Sequence, residues 1–187
     1  ANARLMSLVE NLLNISRIES GRIQYQFAPT KLEDILMELR DTFLLAAHEK
    51  GLKLGFTLPK EPLPLLALDG PKIREVISNV IDNAIKYTEK GVVSVTAEQQ
   101  GREVVVTVVD TGIGVDPEDL PHLFQKFERG KAAFQANVSS TGLGLYVGKR
   151  FIEAHEGTIR VESAGNQKGS RFVITLPIEQ RVLEKGR

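Results

Sequence analysis

The chain has 187 residues, and its 24 Lys and Arg balance 24 Asp and Glu, so its composition carries no basic footprint for DNA or RNA. It has no Cys, which excludes disulfides, thiolate metal sites and a cysteine nucleophile. The sequence shows no signal peptide and no apolar run near the ~20 residues that span a bilayer. We therefore expect a soluble intracellular domain, cut from a longer protein because Ala1 stands within a helical pattern.

Residues 1–20 are predicted to form a helix that ends at Gly21. Its apolar residues recur at spacings of three and four, at Leu5, Leu8, Leu12 and Ile15. Such a helix either packs on its own domain or forms half of a helical bundle with partners elsewhere. The second interpretation is favoured, because a separate α/β pattern begins directly afterwards.

The next segment combines a strand pattern with a helix pattern. Residues 23–27 alternate as a short strand. Thr30 and Glu33 match a capping box for a helix that runs to about Lys50 and ends before Gly51.

Further strands are predicted at 52–58 and 65–68. Asp69 and Pro71 then begin a helix that continues to about Lys86.

The second half of the chain predicts two hairpins around one helix. The segments are a hairpin at 92–99 and 102–109, a short helix capped by Asp116-Pro117, a further helical turn or two at 120–127, a polar mobile loop at 129–141, a helix at 143–155 and a hairpin at 158–163 and 170–176.

One motif stands at the end of a strand, in Asp110-Thr111-Gly112-Ile113-Gly114. A buried carboxylate there can accept a hydrogen bond from an exocyclic amine, and the two glycines let the backbone approach a flat ring. Alone the motif is a weak signal. Together with two further motifs at suitable distances along the chain, it indicates an adenine nucleotide site.

The upstream motif lies on the helix that begins near Asp69. Asn79, Asn83 and Lys86 share an arc beside its apolar face, although Asn costs up to about 0.7 kcal/mol relative to Ala in a helix interior. The arc is either a solvated edge or a carboxamide pair that orders Mg²⁺ and phosphate oxygens, with Lys86 adding a positive charge. Tyr87 can line a nucleoside pocket or pack as a core aromatic.

The downstream motif, Thr141-Gly142-Leu143-Gly144-Leu145, opens a helix. A helix N-terminus offers unpaired N–H groups to a phosphate, and glycines remove the side chains in its way. A plain helix entry is the alternative. The Walker A and dinucleotide fingerprints both fail on glycine spacing.

The loop at 129–141 lies between these motifs and is predicted to act as a lid. Arg129 and Lys131 can reach a γ-phosphate when the lid closes, unless they are merely solvated. Phe124 and Phe127 either anchor the lid or serve as ordinary core aromatics.

The order of these motifs resembles the catalytic, ATP-binding domain of bacterial sensor histidine kinases, which share a superfamily with gyrase B, heat-shock protein 90 and MutL. Residues 79–88 (NVIDNAIKYT) are similar to the N box of that family, 110–114 to G1, 124–127 to the F box and 141–145 to G2. Gly169 resembles the last glycine motif, and residues 12–21 resemble the end of a dimerisation helix. No single box is specific, whereas their ordered combination is.

The resemblance implies a two-layer α/β sandwich, of the α+β kind, in which helices cover one face of a mixed sheet. It implies that ATP lies between the lid and the N box, with Asp110 on the adenine amine and Asn83 holding Mg²⁺. The other residues that it assigns to nucleotide binding are Asn79, Lys86, Tyr87, Gly112, Gly114, Thr141, Gly142, Leu143, Gly144 and Leu145. Asn79, Lys86 and Arg129 are the expected catalytic residues.

By the same resemblance, residues 1–21 belong to a dimerisation and phosphoacceptor domain, 22–178 form the ATP-binding domain and 179–187 a charged tail. The γ-phosphate would pass to a histidine of the dimerisation domain and then to a response regulator receiver domain. The parent would be a homodimer anchored in the inner membrane, with this domain in the cytoplasm and no nucleic acid partner.

Two departures from the family pattern affect the expected activity. His48, His122 and His155 lack the Pro that follows a phosphoacceptor His, so we expect surface or packing roles for them and an acceptor outside this chain. Asn79 stands where ATPases of the superfamily carry a Glu, and a carboxamide cannot take a proton from water. Phosphoryl transfer is favoured over the alternatives, a nucleotide-gated ATP hydrolase and a non-catalytic scaffold.

Overall fold

The computed structural model describes residues 2–128 and 142–179. Its helices are α1 (Asn2–Glu19), α2 (Leu32–Glu49), α3 (Gly70–Tyr87) and α4 (Gly144–Ala154). Its strands are β1 (Ala28–Thr30), β2 (Lys53–Thr57), β3 (Leu66–Leu68), β4 (Val92–Gln100), β5 (Glu103–Asp110), β6 (Thr158–Glu162) and β7 (Ser170–Pro177). The predicted long helices and both hairpins are confirmed to within a residue or two.

A mixed five-stranded sheet forms the centre of the domain, with strand order β2-β4-β5-β7-β6. β2 runs parallel to β4, and the other neighbours are antiparallel. β1 and β3 form a separate antiparallel pair. The predicted fold class, a mixed sheet with a helical layer, is therefore confirmed.

The core forms where the apolar sides of helix and strand meet. β4 alternates along its length and buries Val93, Val95 and Ala97. α3 contacts β4, β5 and α4, which explains its wide apolar arc. Its buried residues are Ile73, Val76, Ile77, Val80, Ile81, Ala84 and Ile85.

The predicted start of α3 is confirmed, whereas the capping box of α2 is wrong. The Asp69 carboxylate accepts from the Lys72 N–H (3.2 Å), as an N-cap should. Before α2 the Thr30 hydroxyl donates to the Ala28 carbonyl, and Glu33 accepts from the Leu63 N–H (2.6 Å). A contact with a distant loop has replaced the local motif.

The strand predicted at 23–27 is also wrong, because pairing begins only at β1. Residues 22–27 have no regular secondary structure, and the Gln26 N–H donates to Asp69 Oδ2 (2.9 Å). Tyr25 packs edge-on against Phe151 at a centroid distance of 6.2 Å. The apolar alternation therefore serves packing on α4 and not a ladder.

Between Asp116 and Phe127 the chain forms successive hydrogen-bonded turns instead of the predicted short helix. Asp119, His122 and Gln125 each donate to the carbonyl three residues earlier. The predicted lid at 129–141 lies outside the described residues, as does most of the charged tail. Within the described part no helix is long and apolar enough to cross a membrane.

α1 contacts the rest of the domain near its C-terminal end. Ile15 is buried and α1 contacts α4, whereas Met6, Leu12 and Leu13 are exposed. The assignment of residues 1–21 to a dimerisation domain stays a prediction.

His155 is fully buried and joins the end of α4 to the start of α3. Its Nε2 accepts from the Asp69 N–H (2.9 Å), so Nδ1 carries the proton that it donates to the Phe151 carbonyl (2.7 Å). Both nitrogens are therefore used in the neutral tautomer. Burial lowers the pKa of His155, and the Phe151 carbonyl and Asp69 oppose that effect only in part.

This arrangement predicts a specific acid sensitivity of the fold. Because the pKa is lower in the folded than in the unfolded chain, the stabilisation by neutral His155 is complete above the unfolded pKa of about 6.5 and is lost as pH falls below it. The difference in free energy of unfolding between wild type and His155→Gln, measured in urea, should shrink as pH is lowered from 7. A difference that is constant with pH would show that His155 takes up its proton as readily when folded.

Candidate functional site

The N-box side chains lie along one side of α3. Asn79 and Asn83 are half-buried and one turn apart, and Tyr87 follows one turn further on. Lys86 is exposed and pairs with Asp82 at the preceding turn. Because their side chains are 44% and 38% exposed, this ion pair is screened, and Lys86 can exchange Asp82 for another anion at little cost.

Asp110 ends β5 as a buried carboxylate, only 5% exposed. The Gly112 N–H donates to its Oδ1 (2.8 Å), and the Ser170 hydroxyl donates to its Oδ2. Burial raises the pKa of Asp110, and these hydrogen bonds oppose the increase. A raised folded pKa means that stability falls as pH rises through the window between the two pKa values, so ionised Asp110 reduces stability at neutral pH. A buried charge that costs stability marks a candidate functional group.

The G1 loop contacts the C-terminal end of α3. The Ile113 N–H donates to the Tyr87 carbonyl (3.0 Å). A Cβ on Gly112 would lie 2.3 Å from that same carbonyl oxygen, so only glycine fits there. Gly114 lies against the β6–β7 loop, where a Cβ would be 2.2 Å from the Gly165 carbonyl oxygen.

The G2 segment contacts α3 near the middle of the helix. A Cβ on Gly144 would lie 2.7 Å from Asn79 Nδ2, so the start of α4 is in direct contact with the first N-box carboxamide. Leu143 is the N-cap residue of α4 and has no side-chain acceptor to offer the helix N–H groups. Gly142 accepts from the Phe127 N–H (3.1 Å), which joins G2 to the F box.

G1 and G2 therefore contact the same helix at two points. G1 contacts Tyr87 and G2 contacts Asn79, which are eight residues or about 12 Å apart along the axis. Asn83 lies midway. We call the strip of surface between these two contacts the cleft. A Cβ on Gly112 would lie 2.3 Å from the Tyr87 carbonyl oxygen and 2.8 Å from Asp110 Oδ1, so the buried carboxylate is at one end of this strip. The N-terminus of α4, with its partial positive charge, is at the other end. The geometry suits a ligand with an amine-bearing base and an anionic tail.

Some predicted site residues have other outcomes. Arg129, Lys131 and Thr141 lie outside the described residues. Leu145 is half-buried and packs against the core.

Sequence reasoning missed Ser170 as a member of this site. Ser170 pairs in register with Asp110 across β5 and β7, and this pairing brings its hydroxyl to the carboxylate. Ser163 was missed too; it accepts from the Val115 N–H (3.0 Å) and donates to the Gly169 carbonyl (2.7 Å). The signal in the sequence is Gly169-Ser170 at the start of the last strand, but only the sheet register shows its partner.

A cavity of about 320 Å³ opens beside the end of β5, and its position differs from that of the cleft. Its lining comes from β5, β6, β7 and the β6–β7 loop, and includes Asp110, Lys168 and Arg171. The cleft along α3 is the better candidate site, because the motifs with nucleotide chemistry converge there.

Comparison with known proteins shows the family to which the chain belongs. Residues 68–180 match the family described as histidine kinase-, DNA gyrase B- and HSP90-like ATPases. The match covers more than half of the chain, so the chain belongs to this family and contains its ATP-binding domain.

Among curated relatives, the chain is 34% identical over 179 residues to the non-motile and phage-resistance protein of Caulobacter vibrioides, covering 93% of this chain and 21% of that protein. It is 32% identical to the sensor protein GacS of Pseudomonas syringae pv. syringae, covering 93% and 20%. The chain thus spans about one fifth of the length of these relatives.

Solved structures of other proteins share the fold. Full-length ShkA in complex with AMPPNP matches with a TM-score of 0.81 and 29% identity, over 94% of this chain and 36% of that chain. The histidine kinase AdeS of Acinetobacter baumannii matches with a TM-score of 0.76 and 26% identity, over 94% and 79%.

Proposed function

We propose that this chain binds Mg-ATP and transfers the γ-phosphate to a histidine of a dimerisation and phosphoacceptor domain. The observation that carries the proposal is the contact of one helix, α3, with both glycine motifs, at Tyr87 and at Asn79. This contact makes a single cleft from three stretches that are distant in sequence.

Adenine recognition is proposed for the G1 end of the cleft. Asp110 is held by the Ser170 hydroxyl and the Gly112 N–H, and its carboxylate keeps lone pairs for the exocyclic amine of adenine. Gly112 lies close to the Tyr87 carbonyl and has no side chain, so the backbone there can pack against a flat ring.

Phosphate binding is proposed for the G2 end. The first N–H groups of α4, which have no partner within the helix itself, and the glycines at 142 and 144 suit phosphate oxygens. Asn83, midway along the cleft, offers the hard oxygen that Mg²⁺ prefers, and Lys86 adds a cation beside it. When bound there, Mg²⁺ would neutralise charge on the phosphates during transfer.

Transfer to histidine is proposed over hydrolysis because of Asn79. Asn79 lies against Gly144 at the phosphate end, where a general base for water would have to stand, and its carboxamide cannot take a proton. A neutral imidazole needs less activation: its nitrogen bonds to the γ-phosphorus while the bond from that phosphorus to the bridging oxygen breaks and ADP leaves. Positioning by the cleft then supplies most of the catalysis.

The partners follow from the same proposal. The acceptor histidine would belong to a dimerisation domain of the parent, in a homodimer, and the phosphoryl group would pass on to a receiver domain. Residues 1–21 would belong to that dimerisation domain. We also propose a cytoplasmic location for this domain, with the parent anchored in the inner membrane.

The proposal is tested first by nucleotide binding. Calorimetric titration of the chain with ADP should show tighter binding with Mg²⁺ than with EDTA, and Asn83→Ala should lose this difference. Asn166→Ala, which removes an exposed carboxamide from the β6–β7 loop, should behave as wild type. Absence of heat and of a thermal shift with wild type would identify a scaffold that does not bind nucleotide.

The second test concerns the acceptor. The chain is mixed with γ-labelled ATP and a separately produced dimerisation domain that carries a phosphoacceptor histidine. Acid-labile, base-stable label should appear on that domain, while phosphate release without it stays slow. Rapid phosphate release in the absence of any acceptor would contradict transfer and favour a hydrolase.

A further inference from the structure

The C-terminal end of α3 has all of its last four backbone carbonyls satisfied by side chains or loop amides. Such carbonyls have no partner within the helix and often hydrogen-bond to water. Here the Thr88 hydroxyl donates to Ala84 (2.7 Å), the Lys50 ammonium donates to both Ile85 (2.7 Å) and Lys86 (2.8 Å), and the Ile113 N–H donates to Tyr87 (3.0 Å).

Lys50 contributes half of these hydrogen bonds from a different helix. It is the C-cap residue of α2, and its side chain crosses to α3, 35 and 36 residues further along the chain. Its charge lies at the negative end of the α3 dipole, where a cation is favourable. Burial lowers the pKa of Lys50, and nearby Glu89 opposes the decrease. The ammonium group is therefore partly desolvated where it donates to the two carbonyls.

The turn that Lys50 closes carries residues of the nucleotide site. Asn83, Lys86 and Tyr87 all lie in the last turns of α3. The Tyr87 carbonyl also holds Ile113 of the G1 loop. A loose last turn would therefore displace the N-box side chains and the G1 loop together.

We infer that Lys50 is a positioning residue for nucleotide binding, which acts by fixing the last turn of α3 through the Ile85 and Lys86 carbonyls. The inference rests on the proposed function, and it adds a residue outside the four sequence boxes. Lys50 does not contact the ligand in this scheme; it sets the geometry of those residues that do.

The experiment measures binding of Mg-ADP by calorimetry at a temperature at which all variants are folded. Lys50→Met, which keeps the aliphatic stem and removes the donors, should raise the Kd about tenfold. Lys50→Arg, which can donate to both carbonyls, should restore the affinity to within about twofold of wild type.

Lys72→Met is the matched control, because it is the same change at the opposite end of α3. Lys72 lies over the Phe151 ring (4.7 Å) and pairs with Glu75, so its loss should lower the melting temperature without changing the Kd. A purely structural cap at Lys50 would give the same result as this control. Equal Kd values for wild type and Lys50→Met would therefore overturn the inference.

Failure of the inference and failure of the proposed function give different results. If wild type itself does not bind Mg-ADP, the proposed function fails. If wild type binds and Lys50→Met binds equally, only the role of Lys50 fails. Should Lys50→Met not fold, Lys50→Ala, which also removes the donors, replaces it in the same comparison with Lys50→Arg, and wild-type affinity of the Ala variant overturns the inference.

Discussion

Replacement of Asp110 by Ala is expected to weaken binding of Mg-ADP by about 1–3 kcal/mol, or roughly 5- to 150-fold, and to remove the preference for adenine over guanine nucleotides. The carboxylate is the buried acceptor at the end of β5, and without it the exocyclic amine of the base would lose its partner. Calorimetric titrations with Mg-ADP and Mg-GDP measure both effects.

Two further variants separate recognition from folding. Asp41→Ala removes an exposed carboxylate that pairs with its neighbour Arg40, and it should bind as wild type does. Asp110→Asn keeps an acceptor oxygen and should lose less affinity than Asp110→Ala. Equal selectivity of wild type and Asp110→Ala for adenine over guanine would contradict the assignment.

The pH dependence of binding gives an independent check on Asp110. Because burial raises the pKa of this carboxyl, it takes up a proton at a higher pH than an exposed Asp does. As the pH is lowered, the affinity of wild type for Mg-ADP should therefore begin to fall at a higher pH than it would if the carboxylate had the pKa of an exposed Asp. Asp110→Asn should not show this loss of affinity.

Replacement of Gly169 by Ala is expected to destabilise the fold by more than about 3 kcal/mol, which is at the high end for a single substitution. A Cβ there would lie 2.0 Å from the Asp110 carbonyl oxygen, and Gly169 has φ +68°. The Gly169 N–H also donates to the Gly112 carbonyl (3.1 Å), so relief of the clash would disturb G1. Urea denaturation gives the loss of stability.

Gly101→Ala is a matched control for this change. Gly101 has φ +63° in the β4–β5 hairpin, and among the described residues a Cβ there would meet no atom within 4 Å beyond its chain neighbours, so the substitution introduces the backbone strain alone. That strain costs about 1–2 kcal/mol. Equal destabilisation by the two substitutions would mean that the contact with Asp110 adds nothing.

Periodicity predicts most of the secondary structure because burial and pattern agree in those segments. α3 is the clearest case, since its apolar arc packs on the sheet and on α4 while the N-box residues occupy the next arc. The strand at 23–27 fails for the opposite reason. Its apolar residues are half-buried, with Tyr25 packed on Phe151, and a sequence pattern does not separate such packing from strand pairing.

The candidate site was predictable where a local motif carries the chemistry, as in Asp110 and Asn83. Its supporting contacts were not, because they join residues distant in sequence. Ser170 reaches Asp110 only through the register of β5 and β7, and Lys50 reaches α3 only through the packing of two helices. The capping box at Thr30 shows the converse, since Glu33 takes a distant partner in place of the local one.

The anchoring of the α3 terminus from three directions makes one wall of the cleft stiff. Its hydrogen bonds come from α2, from the G1 loop and from Thr88, so movement of this wall would break several contacts at once. Nucleotide entry and exit must then be accommodated by the opposite wall. If the proposed nucleotide site is right, substitutions that speed nucleotide exchange are accordingly expected across the cleft and not at this helix end.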